Sequence, residues 1–100
     1  MAFRHVVMFR WTPDSTAEQR TGALDALRAF GRQVADFASL SIGADAGVAE
    51  GNFDAAVVVE LADAEAYMRY AADPRHQAVL RDHIRPILAE RAAVQYERGA

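Results

Sequence analysis

The sequence has 100 residues, of which 52% are apolar and 25% charged, a balance typical of one globular domain covering residues 1–100. Its formal net charge of -3 argues against a nucleic-acid partner, because phosphate binding needs a basic surface. There is no cysteine and all eleven strongly basic residues are arginine, which excludes thiolate chemistry, cysteine-ligated metals and lysine Schiff bases.

The sequence also argues against a membrane segment and a metal site. No apolar run approaches the roughly 20 residues that a membrane helix needs. Arg4, His5 and Arg10 interrupt the N-terminal stretch where a signal peptide would have its apolar core. A cytoplasmic location is therefore expected. The other histidines, His76 and His83, are dispersed from His5, so no metal and no cofactor are predicted.

The first third of the sequence predicts a strand followed by a long helix. Residues 3–11 alternate in side-chain type and are rich in aromatic and β-branched residues, which is typical of a β-strand. Ser15 and Glu18 have the spacing of a capping box, which predicts a helix that ends near Asp36. The apolar residues at helical spacing within it are Ala23, Leu24, Leu27, Phe30 and Val34.

Two strands joined by a hairpin loop are predicted next. Residues 37–45 alternate and close on a glycine, which indicates a short strand, and residues 46–52 contain two glycines and are expected to be a loop. Residues 53–61 are apolar on both faces, as in a strand at the centre of a sheet.

The last third predicts helical segments followed by a final strand. Asp63 is expected to cap a helix that runs through Ala72, where the following Asp-Pro dipeptide stops it. Residues 75–90 are predicted to be helical, with a kink or a new first turn at Pro86. Residues 92–97 are predicted to form the last strand.

The order of these elements, β-α-β-β-α-β, predicts a ferredoxin-like α+β fold with one antiparallel four-stranded sheet and helices on one face. The other face of such a sheet is bare. Val6, Met8 and part of the run at residues 57–59 are expected on that face. A bare apolar face of this kind usually meets a partner, so a homodimer with two sheets face to face is predicted.

Three short motifs resemble a known family. They are the opening Arg-His-Val-Val-Met-Phe of residues 4–9, Gly43 at the close of the second strand, and the Tyr…Pro-x-His element formed by Tyr70, Pro74 and His76. With these motifs the chain resembles the stress-responsive dimeric A/B-barrel (Dabb) family along nearly its whole length. The resemblance implies a homodimeric barrel built from two four-stranded sheets.

The resemblance also implies an activity. Polyketide cyclases of this family, of the olivetolic acid cyclase type, close a linear poly-β-ketone by an aldol condensation without a cofactor. On that pattern His76 is the general base, Tyr70 assists it, and His5 lies in the same pocket. The residues then expected to bind a polyketide-like or hydrophobic substrate are His5, Val7, Phe9, Leu24, Leu27 and Leu88.

The sequence departs from the cyclase pattern around this pair. Ala55 and Gln95 stand where the cyclases carry a histidine and an aspartate. Bulky pocket aromatics are replaced by Ala23, Leu24 and Leu27 on the first helix and by Leu88 further on. The pattern therefore implies the catalytic pair but no particular substrate.

The residues themselves leave two interpretations open. An unperturbed histidine has a pKa of roughly 6.5, which suits His76 to take a proton from carbon, and Tyr70 can donate a hydrogen bond to the enolate oxygen. Alternatively, His76 caps a helix or bonds a backbone carbonyl while Tyr70 only packs. Tyr67 and Met68 are expected to pack, and His83 to lie either at the surface or behind the residues that line the site.

Three classes of function therefore remain: a cofactor-free cyclase or lyase, a non-catalytic stress-associated binding or scaffold dimer, and a cofactor-independent monooxygenase. A small dry pocket would favour the enzymes, and a pocket filled by side chains would favour the scaffold. The residues expected around such a pocket are His5, Val7, Leu27, Tyr70 and His76.

Overall fold

The computed structural model of the chain describes residues 2–99. Its main elements are, in chain order, β1 (Ala2–Trp11), α1 (Ala17–Gln33), β2 (Ser39–Ala44), β3 (Ala55–Leu61), α2 (Ala64–Ala72), α3 (Pro74–Val79) and β4 (Leu88–Arg98). A π-helical turn at Leu80–Ile84 and a 3-10 turn at Arg85–Ile87 connect α3 to β4. Within these residues no helix is long and apolar enough to span a membrane.

The four strands form one antiparallel sheet in the order β2-β3-β1-β4. With the helices packed on one face, this is the ferredoxin-like α+β fold that the sequence predicts. β3 is an inner strand, as its apolar residues on both faces indicate. The core lies between the sheet and the helices and includes Phe9, Leu27, Phe30 and Ile84.

The two faces of the sheet differ in burial. Val57 and Val59 are 1% and 0% exposed and face the helices, whereas Val58 pairs with Val6 on the opposite face. Val58 is therefore the part of the run at residues 57–59 that lies on the bare face, as expected, because successive residues of a strand point to opposite sides. We call the uncovered side the open face; its apolar residues include Val6, Met8, Val58, Val94 and Tyr96.

The first helix begins one residue later than predicted. Thr16, not Ser15, is the N-cap: its hydroxyl accepts from the Gln19 backbone N–H at 3.1 Å, and the Gln19 side chain accepts from the Thr16 N–H at 2.8 Å. The Ser15 hydroxyl donates instead to the Thr12 carbonyl at 2.6 Å. The helix ends at Gln33 rather than near Asp36, because turn bonds to the Val34 carbonyl replace helical ones.

The end of the chain differs most from the sequence prediction. Helical structure stops at Ile87 and β4 begins at Leu88, four residues before the predicted strand. Two contacts at the end of β1 explain this: the N–H of Thr12, the residue after β1, donates to the Ile87 carbonyl at 2.8 Å, and Leu88 pairs with Trp11. The cap at Asp63 is as predicted, since its carboxylate accepts from the Ala66 N–H at 2.8 Å.

Candidate functional site

A cavity of about 60 Å³ lies between the helices and the covered face of the sheet. Six of the helices and strands and the π-helical turn contribute to its wall, so it forms only when the whole domain is folded. Its lining residues are His5, Val7, Phe9, Leu27, Val57, Tyr67, Tyr70, His76, Leu80 and Arg91.

Most of the residues that the sequence predicts for the site lie around this cavity. His76, Tyr70 and the expected companions His5, Val7, Phe9 and Leu27 all line it. Leu24 and Leu88 do not: Leu24 is buried in the core, and Leu88 packs against the core from the start of β4. A role for Leu24 or Leu88 in binding a ligand therefore has no support from their positions.

Several lining residues were not predicted from the sequence, although the sequence carries a signal for some of them. Tyr67 lies three residues before Tyr70, and Leu80 lies four residues after His76, spacings that put each pair on one side of a helical segment. Arg91 lies in β4 but outside the strand predicted for residues 92–97. Met68, expected to pack, is 65% exposed.

Asp73 brings Tyr70 and His76 together. The Asp73 N–H donates to the Tyr70 carbonyl at the end of α2, and its carboxylate accepts from the Arg75 N–H at 2.8 Å at the start of α3. Pro74 is preorganised for the first helical position. This break folds the chain back so that the Tyr70 and His76 ring centroids are 4.6 Å apart. The pKa of Asp73 is lowered to about 2, mainly because the Arg75 side chain donates hydrogen bonds to its carboxylate.

The His76 ring is oriented by a backbone contact. Its Nδ1 atom lies 3.3 Å from the Ala71 carbonyl oxygen. A carbonyl oxygen only accepts hydrogen bonds, so Nδ1 carries the proton and the neutral ring keeps its lone pair on Nε2. Burial lowers the pKa of His76, against the Ala71 hydrogen bond and Asp73, which raise it. His76 therefore makes the backbone bond of the non-catalytic interpretation and still has a basic nitrogen.

His5 and Tyr70 are the other two buried polar groups of the cavity, 5% and 2% exposed. Burial, followed by the charges of Arg91 and His76, lowers the pKa of His5 to about 4, so the ring is neutral near pH 7. Burial, with a smaller contribution from Tyr67, raises the pKa of Tyr70. The Tyr70 phenol therefore keeps its proton and can donate a hydrogen bond.

The reactive atoms of these three side chains are accessible. Within residues 2–99, only Arg4 Nε is a fully buried side-chain nitrogen or oxygen without a hydrogen-bond partner. No described residue bonds the Tyr70 hydroxyl or the Nε2 atoms of His5 and His76, so these atoms retain accessible surface. In the same part of the chain, no cluster of acidic and histidine side chains is suitable for a metal ion.

Residues 3–98 match the model of the stress responsive A/B barrel domain, Dabb. The chain belongs to the Dabb family. No curated protein matches this Dabb sequence.

Solved structures agree with the family and the fold. A dimeric ferredoxin-like protein of unknown function from Thermobifida fusca YX is 36% identical, with a TM-score of 0.89 over 98% of this chain and 92% of that one. A Dabb family protein from Mesorhizobium loti is 20% identical, with a TM-score of 0.81 over 99% and 98% of the two chains. The hydroxynitrile lyase of Passiflora edulis is 14% identical, with a TM-score of 0.82 over 98% and 96%, a likeness of fold alone.

Proposed function

We propose that this Dabb protein is a cofactor-independent, homodimeric aldol-type lyase in which His76 is the general base. The observation that carries the proposal is the pairing of His76 with Tyr70: their ring centroids lie 4.6 Å apart at the cavity. One ring offers a lone pair and the other a phenolic proton, which is the combination needed to form and hold an enolate.

The reaction follows from these two groups and His5. The His76 Nε2 atom removes a proton from the carbon next to a substrate carbonyl, and hydrogen bonds from Tyr70 and His5 stabilise the enolate oxygen. The enolate carbon then attacks a second carbonyl carbon. A new carbon–carbon bond forms, and the resulting alkoxide takes the proton back from His76. Cleavage is the same sequence in reverse, and no electrons leave the system.

The cavity limits the size of the substrate. Its volume of about 60 Å³ is well below the roughly 150 Å³ of an engineered protein cavity that admits benzene. A complete polyketide chain is therefore too large for it. We propose that the cavity takes the carbonyl group and its neighbouring carbon, from a small ketone or aldehyde or from the reacting end of a longer polyketide-like chain. The remainder of the molecule would lie at the opening of the cavity, and the enclosed part would fit against Leu27 and Val57.

A homodimer is part of the proposal. The open face presents Val6, Val58 and Val94 at positions that face each other across three neighbouring strands. The 36% identical protein from Thermobifida fusca is described as dimeric. Two copies packed through this face would bury the apolar residues that a single chain leaves exposed.

A non-catalytic ligand-binding dimer is the second candidate. The bond between His76 Nδ1 and the Ala71 carbonyl favours it, because that bond alone gives the histidine a structural role. The two candidates differ in one property: only the lyase accelerates removal of a proton from a bound ketone.

Hydrogen–deuterium exchange tests this difference without knowledge of the natural substrate. We expect the protein to accelerate exchange of the α-protons of 2-butanone in D₂O, followed by NMR. His76→Ala should slow the protein-dependent exchange by about 10²–10⁴-fold, and Tyr70→Phe by less. His83→Ala, at an exposed position, is the matched control and should leave the rate unchanged. A wild-type rate equal to that of buffer, with 2-butanone bound, would support the non-catalytic candidate.

A further inference from the structure

Gln95 touches the cavity histidine of β1 from the neighbouring strand. His5 and Gln95 lie opposite each other in the pairing of β1 with β4. The Gln95 side-chain Nε2 atom is 2.8 Å from His5 Nδ1. His5 lines the cavity, whereas Gln95 does not line it and is an exposed residue of the edge strand β4.

The chemistry of an amide group gives this contact a direction. The amide nitrogen of glutamine can only donate, so His5 Nδ1 must be the acceptor. A neutral imidazole carries one N–H and one lone pair, so a lone pair on Nδ1 leaves the proton on Nε2. The nitrogen of His5 that retains accessible surface is therefore a hydrogen-bond donor.

We propose that Gln95 is a positioning residue that holds His5 as an Nε2–H donor, so that the cavity binds the oxygen of a carbonyl compound at His5 and receives its proton at His76. The two histidines thus have opposite tautomers. The Ala71 carbonyl leaves His76 with a basic Nε2, and the Gln95 amide leaves His5 with an acidic one. The roles of His5 and His76 toward a carbonyl compound rest on the proposed function. The two tautomers rest only on the hydrogen bonds of the rings and do not depend on that function.

The surroundings of His5 keep its imidazole neutral. Only a neutral ring can have a proton on Nε2 and a lone pair on Nδ1. Arg91 on β4 and His76 on α3 are the titratable groups whose charges disfavour a proton on His5. From α2, the rings of Tyr67 and Tyr70 lie 5.0 and 6.3 Å from the His5 ring, measured between centroids. No Asp or Glu lines the cavity within the described residues, so no carboxylate there stabilises the protonated, cationic form of His5.

Long-range ¹H–¹⁵N NMR of the imidazole rings tests the tautomers directly. At pH 7 we expect His5 to show a protonated Nε2 and His76 a protonated Nδ1. In Gln95→Glu the carboxylate can only accept, so at a pH where the ring is neutral the proton of His5 should move to Nδ1, while the His76 spectrum keeps its pattern. Gln95→Met, of similar length but without a hydrogen bond, should give a mixture of tautomers at His5. A protonated Nδ1 at His5 in the wild type, or a Gln95→Glu spectrum equal to that of the wild type, would overturn the inference.

Ligand binding tests the consequence for the substrate. We expect 2-butanone to bind more weakly to Gln95→Glu than to the wild type, by about tenfold, since one hydrogen bond to the carbonyl oxygen is lost. Binding of 2-methyl-1-butene, which has a methylene group in place of that oxygen, should not change. Equal losses for both compounds would reject a specific role in carbonyl recognition. Failure of the exchange experiment with His5 still in the Nε2–H form would reject the lyase and leave the tautomer assignment standing.

Discussion

The two faces of β1 show how one strand serves two different surroundings. His5, Val7 and Phe9 are at most 6% exposed under the helices, whereas Met8, between two of them in sequence, is 38% exposed on the open face. The covered face is completed by the chain's own helices and includes the cavity. The open face is apolar at its centre and has no cover in a single chain, and the proposed homodimer would cover it with a second copy.

The polar groups on the two faces differ as well. On the open face Glu60 accepts hydrogen bonds from Arg4 and Arg98, and Arg4 also donates to the Tyr96 hydroxyl. These paired charges lie at one end of the apolar centre, and the ion pair of Arg10 with Glu90 lies at the other, as in the polar rim of a protein interface. Around the cavity, by contrast, the histidines keep one nitrogen each without a protein partner. The open face is therefore suited to a matching surface, and the covered face to a small polar molecule.

The largest effect should follow from a charge at the centre of the open face. Val58→Glu places two carboxylates near each other in a face-to-face dimer, and such like-charge contacts cost several kcal/mol. We expect light scattering at micromolar concentration to give the mass of one chain, 10.9 kDa. Val48→Glu, at a loop position that is 89% exposed, is the control and should leave the dimer intact. A wild-type protein of 10.9 kDa would refute the dimer itself.

On the covered face, the largest loss of stability should follow from Phe30→Ala. Phe30 is 1% exposed, and its ring centroid lies 5.5 Å from those of both Tyr70 and His76. Removal of a buried phenylalanine ring typically lowers the free energy of unfolding by about 3–5 kcal/mol. Urea denaturation at a fixed protein concentration measures it. Met68→Ala, on the exposed side of α2, should change the stability by less than about 0.5 kcal/mol. Equal effects of the two substitutions would contradict the described core.

The comparison of the faces also shows what sequence alone could predict. Alternation in β1 places His5 with Val7 and Phe9 correctly, because one buried face fixes the side of every residue in a strand. The position of Asp63 as a cap follows from local chemistry alone. Local patterns failed where two of them overlapped: Ser15 with Glu18 and Thr16 with Gln19 both fit a capping box, and only the second is formed.

Tertiary pairing accounts for the rest of the disagreement. β4 extends back to Leu88 because β1 offers it a partner, which no local pattern in residues 88–91 indicates. The cavity residue Arg91 was missed for the same reason. The partner of His5 could not be predicted either, because the register between β1 and β4 alone brings Gln95 opposite to it, 90 residues along the chain.

Lowering the pH should reduce the stability of the fold by a smaller amount than Phe30→Ala does, because His5 must then take up a proton in its buried position. Its pKa of about 4 in the folded protein is below the ordinary value of 6.5, so the unfolded chain binds more protons between these pH values. The free energy of unfolding should show no loss from His5 above about pH 6.5. It should fall as the pH drops from there to 4, by at most about 3 kcal/mol. Urea denaturation of wild type and His5→Asn at pH 7 and 4.5 measures it, and the variant should lose less. Asp73, with a pKa of about 2, acts only at lower pH. An equal loss in both proteins would exclude His5 as the cause.

The smallest effect should come from Arg91, and it separates the two cavity histidines. The Arg91 charge lowers the pKa of both His5 and His76, whereas Arg85 is among the causes for His76 alone. We therefore expect Arg91→Ala to raise both pKa values and Arg85→Ala to raise only that of His76. NMR titration of the two imidazole rings at low salt measures both, and 1 M NaCl should reduce each difference because it screens exposed charges. A change at His76 alone in Arg91→Ala would mean that the guanidinium lies away from His5. A change at both rings would instead place the Arg91 charge near both His5, the proposed hydrogen-bond donor, and His76, the proposed base. A positive charge at that place would stabilise the negative charge of an enolate oxygen.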